Sequence, residues 1–362
     1  MKAQRLEIRN LRSLRQAWLD PDPRLNLLVG DNGAGKTSVL EALHVMAYGR
    51  SFRGRIGDGL VRTSADALEI FVQWQEDGQD RIRKAGLRHG GQDWEGRLDG
   101  LKVAQLGELC AALMVVTIEP GCHALVSGGG EPRRRFMDWG LFHVEQGFLA
   151  DWRRYARSLK QRNALLKART PASQLLPWEL ELATAGERLT RARRLYLERL
   201  EASVAWAMDA LAPGLGAPRL EFHPGWRQDE VSLADALVNA QERDRSLGYT
   251  SIGPHRGDWR LRLEGLPNDE PLSRGQAKIA AISCLLGQAR DCATQRGDWP
   301  IVSVDDLASE LDRSHQRRLV ETLVSTGAQV FMTGTEEPQA VAGHAGRVFH
   351  VEHGVVAASP AT

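Results

Sequence analysis

One short run, GDNGAGKT at Gly30–Thr37, narrows the architectures open to this chain more than any other feature. It fits G-x-x-x-x-G-K-T and lies between an apolar stretch, Leu25–Val29, and the segment TSVLEALHVMAY, whose Val39, Leu43 and Met46 recur at helical spacing. A strand, a glycine turn and a helix in that order make the frame in which backbone can wrap a phosphate. The glycines let successive N–H groups face one anion, and the helix N-terminus adds partial positive charge at the same point. Gly30, Asp31, Asn32, Gly33, Ala34, Gly35, Lys36, Thr37 and Ser38 are therefore expected to hold the phosphates of ATP. Lys36 would reach the β- and γ-phosphates, and the Thr37 hydroxyl would ligate Mg²⁺.

Such a loop needs a carboxylate on a neighbouring strand. IVSVDD supplies one: an apolar strand, Ile301–Val304, ends in Asp305, the Mg²⁺ candidate, and Asp306, a candidate general base or water-orienting group. Two acids after a strand are by themselves most simply a turn or a helix cap, and the upstream phosphate loop is what reverses that reading. LSRGQ at Leu272–Gln276 opens a further helix, expected from Arg274 to Ala289, with Ser273 as N-cap and Gly275 open to close approach. SELD at Ser309–Asp312 follows the acid pair.

Between these motifs the texture changes. Residues 68 to 106 alternate apolar and polar positions between DG and HGG turn signals, as hairpins do, and the tail of the chain offers a last strand at Gln329–Met332. From about Glu131 to Leu211 the chain is rich in Leu, Ala, Arg and Glu, with breaks expected at Pro171 and Pro177. The fold class expected is α/β, a mixed sheet around the phosphate-loop helix, with a second, mainly helical lobe. Residues 1–125 and 250–362 would form the first lobe and 126–249 the second.

At 362 residues, 42% hydrophobic and 26% charged, the chain has ample apolar content for two packed lobes and too much for a disordered protein. Four widely spaced cysteines without a C-x-x-C pair point to neither a disulfide framework nor a zinc site. MKAQRLEIRN alternates instead of presenting an apolar run, so a cytoplasmic protein without a membrane span is expected.

The formal net charge of +1 requires any polyanion binding to come from a local patch. Residues 133 to 169 hold ten Arg and Lys against three acids. On a helix beginning near Trp152, Arg153, Arg157, Lys160 and Lys167 share one arc, while Trp152, Tyr155, Leu159 and Leu166 share the neighbouring, packing arc. A basic arc of this kind can track a phosphate backbone, or it can be a solvated helix face.

Phosphate loop, LSRGQ, the Asp-Asp strand and SELD in this order resemble the ABC/SMC-type ATPases. That resemblance implies a signature loop, here Ser273, Arg274, Gly275 and Gln276, that reaches ATP held on a second copy, with Ser309 and Asp312 in the loop after the acid pair. The wide separation of Lys36 from Ser273 is unlike transporter subunits, and the insert is too short for a long coiled coil. GRSFR after the loop helix, RRRFMDWGLFHVE, LKQRNALLK, GPHR at Gly253–Arg256 and VDDLASELD resemble the RecF family in particular. The resemblance implies a slow, DNA-stimulated, Mg-dependent ATPase that dimerises on ATP. It also implies binding to duplex and gapped DNA, and RecR and RecO as partners in loading the RecA recombinase. A membrane-transporter ATPase subunit or another SMC-like head is the alternative. Two positions depart from the wider superfamily: FMTGTEE at Phe331–Glu337 carries no histidine, and VVTIEPG offers Glu119 where a lid glutamine usually stands.

Overall fold

The computed structural model describes residues 1–54, 59–76, 81–90, 93–265, 272–306, 311–344 and 346–358. The chain opens with β1 (Lys2–Leu11), β2 (Leu14–Leu19), β3 (Leu25–Val29) and α1 (Lys36–Tyr48). It continues through β4 (Leu68–Glu76), β5 (Arg81–His89), β6 (Trp94–Leu98), β7 (Leu101–Lys102), α2 (Leu106–Ala112) and β8 (Val115–Ile118). A helical stretch follows, with α3 (Ala124–Ser127), α4 (Gly130–Val144), α5 (Phe148–Lys167) and α6 (Ala172–Leu211). Then come β9 (Pro218–His223), α7 (Leu233–Asn239), α8 (Gln241–Leu247) and β10 (Asp258–Leu263). The chain closes with α9 (Arg274–Arg296), β11 (Ile301–Val304), α10 (Arg313–Thr326), β12 (Val330–Gly334), β13 (Arg347–Glu352) and β14 (Val355–Ala358).

Two compact units result: Met1–His123 with Trp206–Pro213 and Leu272–Thr362, and Ala124–Ala205 with Gly214–Pro271. In the first unit, one sheet runs β14-β13-β3-β12-β11-β8, parallel from β13 to β8 with β14 antiparallel at the edge. β3, β8, β11 and β12 are buried along their whole length, so they read as apolar runs instead of alternating ones. The other sheet, β2-β1-β4-β5-β6-β7, is antiparallel throughout. On its strand β4, Leu68, Ile70, Val72 and Trp74 point inward in strict alternation.

α1 touches β1 of one sheet, β8 and β12 of the other, and α2. The apolar stripe expected on it is therefore only part of what is covered: Lys36 and every residue from Ser38 to Ala47 are buried. α9 runs to Arg296, well beyond Ala289, until Gly297 ends it in the left-handed region at φ 77°. The strand expected at Gln329–Met332 is β12, at Val330–Gly334, and it is not the last: β13 and β14 follow it.

The boundary expected near residue 250 falls instead at Leu272. The reason is β10, which pairs antiparallel with β9 and buries Trp259, whose Nε1 donates to the Arg133 carbonyl at 3.1 Å, within the second unit. At the other boundary Trp206–Pro213, the end of the long α6, groups with the first unit. Pro171 separates α5 from α6 as expected, but Pro177 breaks nothing and lies inside α6. Near the start of a 40-residue helix its missing N–H forfeits one bond, to the carbonyl of the exposed Ser173. Among the described residues no helix is long and apolar enough to cross a membrane, and all four cysteines are buried and unbridged.

Candidate nucleotide site

β3 delivers the chain to Gly30, where φ is 152° and a Cβ would stand 2.1 Å from the Val351 carbonyl oxygen of β13. Gly35 closes the turn at φ 118°, and a Cβ there would meet Leu14 at 2.9 Å. Both positions admit only glycine, one because of neighbouring backbone and the other because of backbone conformation. Ala34 N–H donates to Asp31 O at 3.2 Å, and Gly354 N–H donates to Ala34 O at 3.0 Å, so the loop is held from within and from the β13–β14 turn. Asp31, Asn32 and Gly33 are exposed, Ala34, Gly35 and Ser38 buried. The Lys36 ammonium donates to the Gly30 and Asp31 carbonyls at 2.6 and 2.9 Å, which uses two of its three hydrogens and holds the side chain over the loop. α1 has no side-chain cap and no acid in its first turn, so its N-terminal N–H groups and dipole are available to an anion.

Asp305 comes to this loop from the end of β11. Its Oδ1 accepts the Thr37 hydroxyl at 2.9 Å and the Thr333 hydroxyl at 2.7 Å, and the residue is 6% exposed. Burial pushes its pKa up; the two hydroxyls and Arg53 act in the opposite direction, while Asp306 adds to the rise. Asp306 sits in the left-handed region at φ 52°, held there by its N–H donating to Thr333 Oγ1 at 2.8 Å. Thr333, at the end of β12, thus ties the two acids together. It falls inside FMTGTEE, but nothing in the sequence gives it this role, and its one signal there is a hydroxyl residue ending an apolar strand.

The donor set suits Mg²⁺. Thr37 and Asp305 offer hard oxygens within one hydrogen-bond length of each other, and a cation would restore a carboxylate that burial disfavours. Behind them, Thr117 on β8 receives the Ser303 hydroxyl at 3.1 Å and meets His44 Nδ1 of α1 at 2.9 Å, locking α1 to the strands that carry the acids. Glu119 turns its carboxylate back onto the Gly121 N–H at 2.6 Å.

Ser273 caps α9 as expected: its Oγ accepts the Gln276 N–H at 3.3 Å, and the Gln276 side chain accepts the Ser273 N–H at 2.9 Å. Ser273, Arg274 and Gly275 are exposed, and nothing lies within 4 Å of where a Cβ on Gly275 would be. Ser309 falls outside the described residues. Asp312 caps α10, accepting the N–H groups of Ser314 and His315; the His315 N–H first, then the Ser314 hydroxyl and the His315 ring, hold its pKa far below the usual carboxylate range.

The model for the RecF/RecN/SMC N-terminal domain matches residues 2–357. The chain belongs to the RecF family. The DNA replication and repair protein RecF of Stenotrophomonas maltophilia (strain R551-3) is 60% identical over 365 residues, covering 99% of this chain and 100% of that protein. A solved structure described as the recombination mediator protein RecF with ATP, in the RecFOR pathway, superimposes with a TM-score of 0.88 at 23% identity, covering 99% of this chain and 98% of that one. An Smc head bound to the C-terminal winged-helix domain of ScpA gives 0.62 at 14% identity, covering 99% and 97%. The ABC/SMC-type ATPase fold expected for a RecF-family chain is therefore present.

The second unit of this RecF-family chain carries the basic helix. Arg153, Arg157, Lys160 and Lys167 of α5 all lie on its solvent side, and all four are exposed. Tyr155 and Leu166 pack as expected, but Trp152 does not: it is 41% exposed and donates its Nε1 to Asp138 at 3.2 Å. The positive excess of residues 133 to 169 is also smaller in space than in sequence. Arg133 is bidentate with Asp258, Arg154 pairs with Glu181, and Arg162 is fully buried between Glu179 and Asp244.

Proposed function

We propose that this chain binds ATP with Mg²⁺ in the Gly30–Ser38 cradle and joins a second copy face to face. In that pair the Ser273–Gln276 loop of each copy completes the nucleotide site of the other, with Asp312 contributing from the N-terminus of α10. The observation that carries the reading is the exposure of Ser273, Arg274 and Gly275 at an α9 N-terminus, in the same unit as the phosphate cradle. Thr37 and Asp305 would hold the cation, which supplies charge neutralisation across the phosphate oxygens. Lys36 binds and orients the terminal phosphates. Asp306, its backbone fixed by Thr333, orients or deprotonates the attacking water. Its side chain is shorter than the glutamate common in this superfamily, which suits slow turnover.

The name shared by the relatives, DNA replication and repair protein, supports a role on DNA. On this proposal the chain acts on duplex and gapped DNA in the cytoplasm, with RecR and RecO in loading RecA. The α5 residues Arg153, Arg157, Lys160 and Lys167 are the proposed contact, sequence-independent and salt-sensitive. Light scattering tests the pairing directly. Wild type should double its mass with ATP, whereas Lys36→Met and Ser273→Arg should remain monomeric; equal dimerisation of all three would sink the proposal.

A further inference from the structure

The Gly253–Arg256 turn, GPHR, has no part in the nucleotide site, yet the second unit is organised around it. Its backbone is held on every side. Gly253 N–H donates to Gly225 O at 3.1 Å, Arg193 Nη1 donates to Pro254 O at 2.7 Å, and Arg134 Nη1 donates to Gly257 O at 3.0 Å. The His255 ring donates from Nε2 to the Thr250 carbonyl at 2.9 Å, so Nδ1 is the acceptor for the Tyr155 hydroxyl at 2.7 Å and the imidazole is neutral. Burial, with Arg256 and Arg134 adding repulsion, pushes its pKa down to about 4.

Charge around this turn does not balance. Asp258 is taken by Arg133 in two bonds of 2.7 and 2.8 Å, and Asp138 by Arg193 in two of 2.9 Å. Glu131 pairs with Arg135. What remains is Arg134, half-buried and bonded to a neutral carbonyl, and Arg256, exposed with its guanidinium 5.3 Å from the Tyr249 ring centroid. The absence of a side chain at Gly130 gives the Arg134 guanidinium its room, since a Cβ there would stand 2.6 Å from Nη1. Arg134 reaching the turn from α4, partly desolvated, and Arg256 on the turn itself, with Asp258, whose charge Arg134 also feels, bonded to Arg133, describe a prepared anion site.

We infer that Arg134 and Arg256 form a binding site for one backbone phosphate of a nucleic acid, presented by the Gly253–Gly257 turn and steadied by Tyr249. This rests on the nucleic-acid role proposed above and adds a second point of contact beside the α5 face. A bidentate guanidinium fits a phosphodiester better than a point charge does, and the ring face under Arg256 limits the freedom that guanidinium loses on binding.

Titration of fluorescein-labelled duplex against salt tests it with the full chain. Removing one phosphate neutralisation lowers the slope of log K against log salt by about 0.9, which is about eightfold in affinity at 0.1 M salt. Arg256→Ala and Arg134→Gln should each show this loss, and Tyr249→Leu a smaller one. Arg256 is exposed, so its variant remains informative if the Arg134 variant does not fold. An unchanged slope in Arg256→Ala overturns the site while leaving the nucleic-acid role intact, and no binding by wild type overturns that role and the site with it. Equal competition by inorganic phosphate at constant ionic strength would identify a free anion as the ligand and overturn the backbone assignment.

Discussion

The Thr333 hydroxyl spends its one proton on Asp305 and uses a lone pair to take the Asp306 N–H, so two neighbouring acids depend on one oxygen. Thr333→Val keeps the volume but leaves the Asp305 Oδ1 with the Thr37 hydroxyl alone and takes the Thr333 oxygen from the Asp306 N–H, at a cost of about 1–3 kcal/mol. A lower urea midpoint and loss of ATP turnover are expected, with Thr333→Ser close to wild type; a wild-type midpoint in the valine variant would remove this role. His44 offers a pH test. Burial first, then Arg50, lower its folded pKa to about 3 from an ordinary 6.5, so the imidazole stays neutral inside while the unfolded chain takes up a proton. Its contribution to stability is full above pH 6.5 and declines as pH falls toward 3, because the unfolded state binds more protons across that window. His44→Gln should flatten the acid limb of the stability profile, and an identical limb in both proteins would exclude His44 as its source. Lys36, Thr37 and Asp305 were legible as letters because each lies in a contiguous motif. Thr333 was not, because its role depends on β12 lying beside β11 in the register Val304 to Met332.

Elements followed the sequence where a pattern is local and departed from it where packing decides. Leu25–Val29 and Ile301–Val304 stand as read, since short apolar runs between turns have few alternatives. α1 and α6 do not follow their patterns. Enclosure by two sheets buries α1 on sides that its stripe left polar, and the length of α6 absorbs Pro177. α5 shows the same limit: Arg162 belongs by sequence to a basic run, yet it is 0% exposed, with Nη1 donating to Asp244 at 2.7 Å and to Thr250 at 2.8 Å. Arg162→Met should destabilise the chain by about 3–5 kcal/mol, because Glu179 and Asp244 stay buried without their counter-charge. Calorimetry would register this as a fall in Tm, and no fall would mean that the two carboxylates find another partner.

At the scale of the whole molecule, near-neutral net charge leaves polyanion binding to surfaces. Replacing Arg153, Arg157 and Lys160 together with alanine should lower the salt slope of duplex binding by up to about 0.9 for each phosphate no longer neutralised, with little effect on ATP-driven pairing. An unaltered slope would take α5 out of the interface with DNA. The order of motifs along the chain was enough by itself to point to the family and to single out the proposed phosphate loop and its metal-side acid, because phosphate chemistry demands particular residues at fixed short spacings. Only the tertiary structure decided which arginines are spent on buried carboxylates and which face solvent, that β10 joins β9 in the second unit, and that Thr333 binds both acids. Those outcomes depend on residues far apart in sequence meeting in space, and low-dielectric burial, which no local pattern encodes, sets what each pairing is worth.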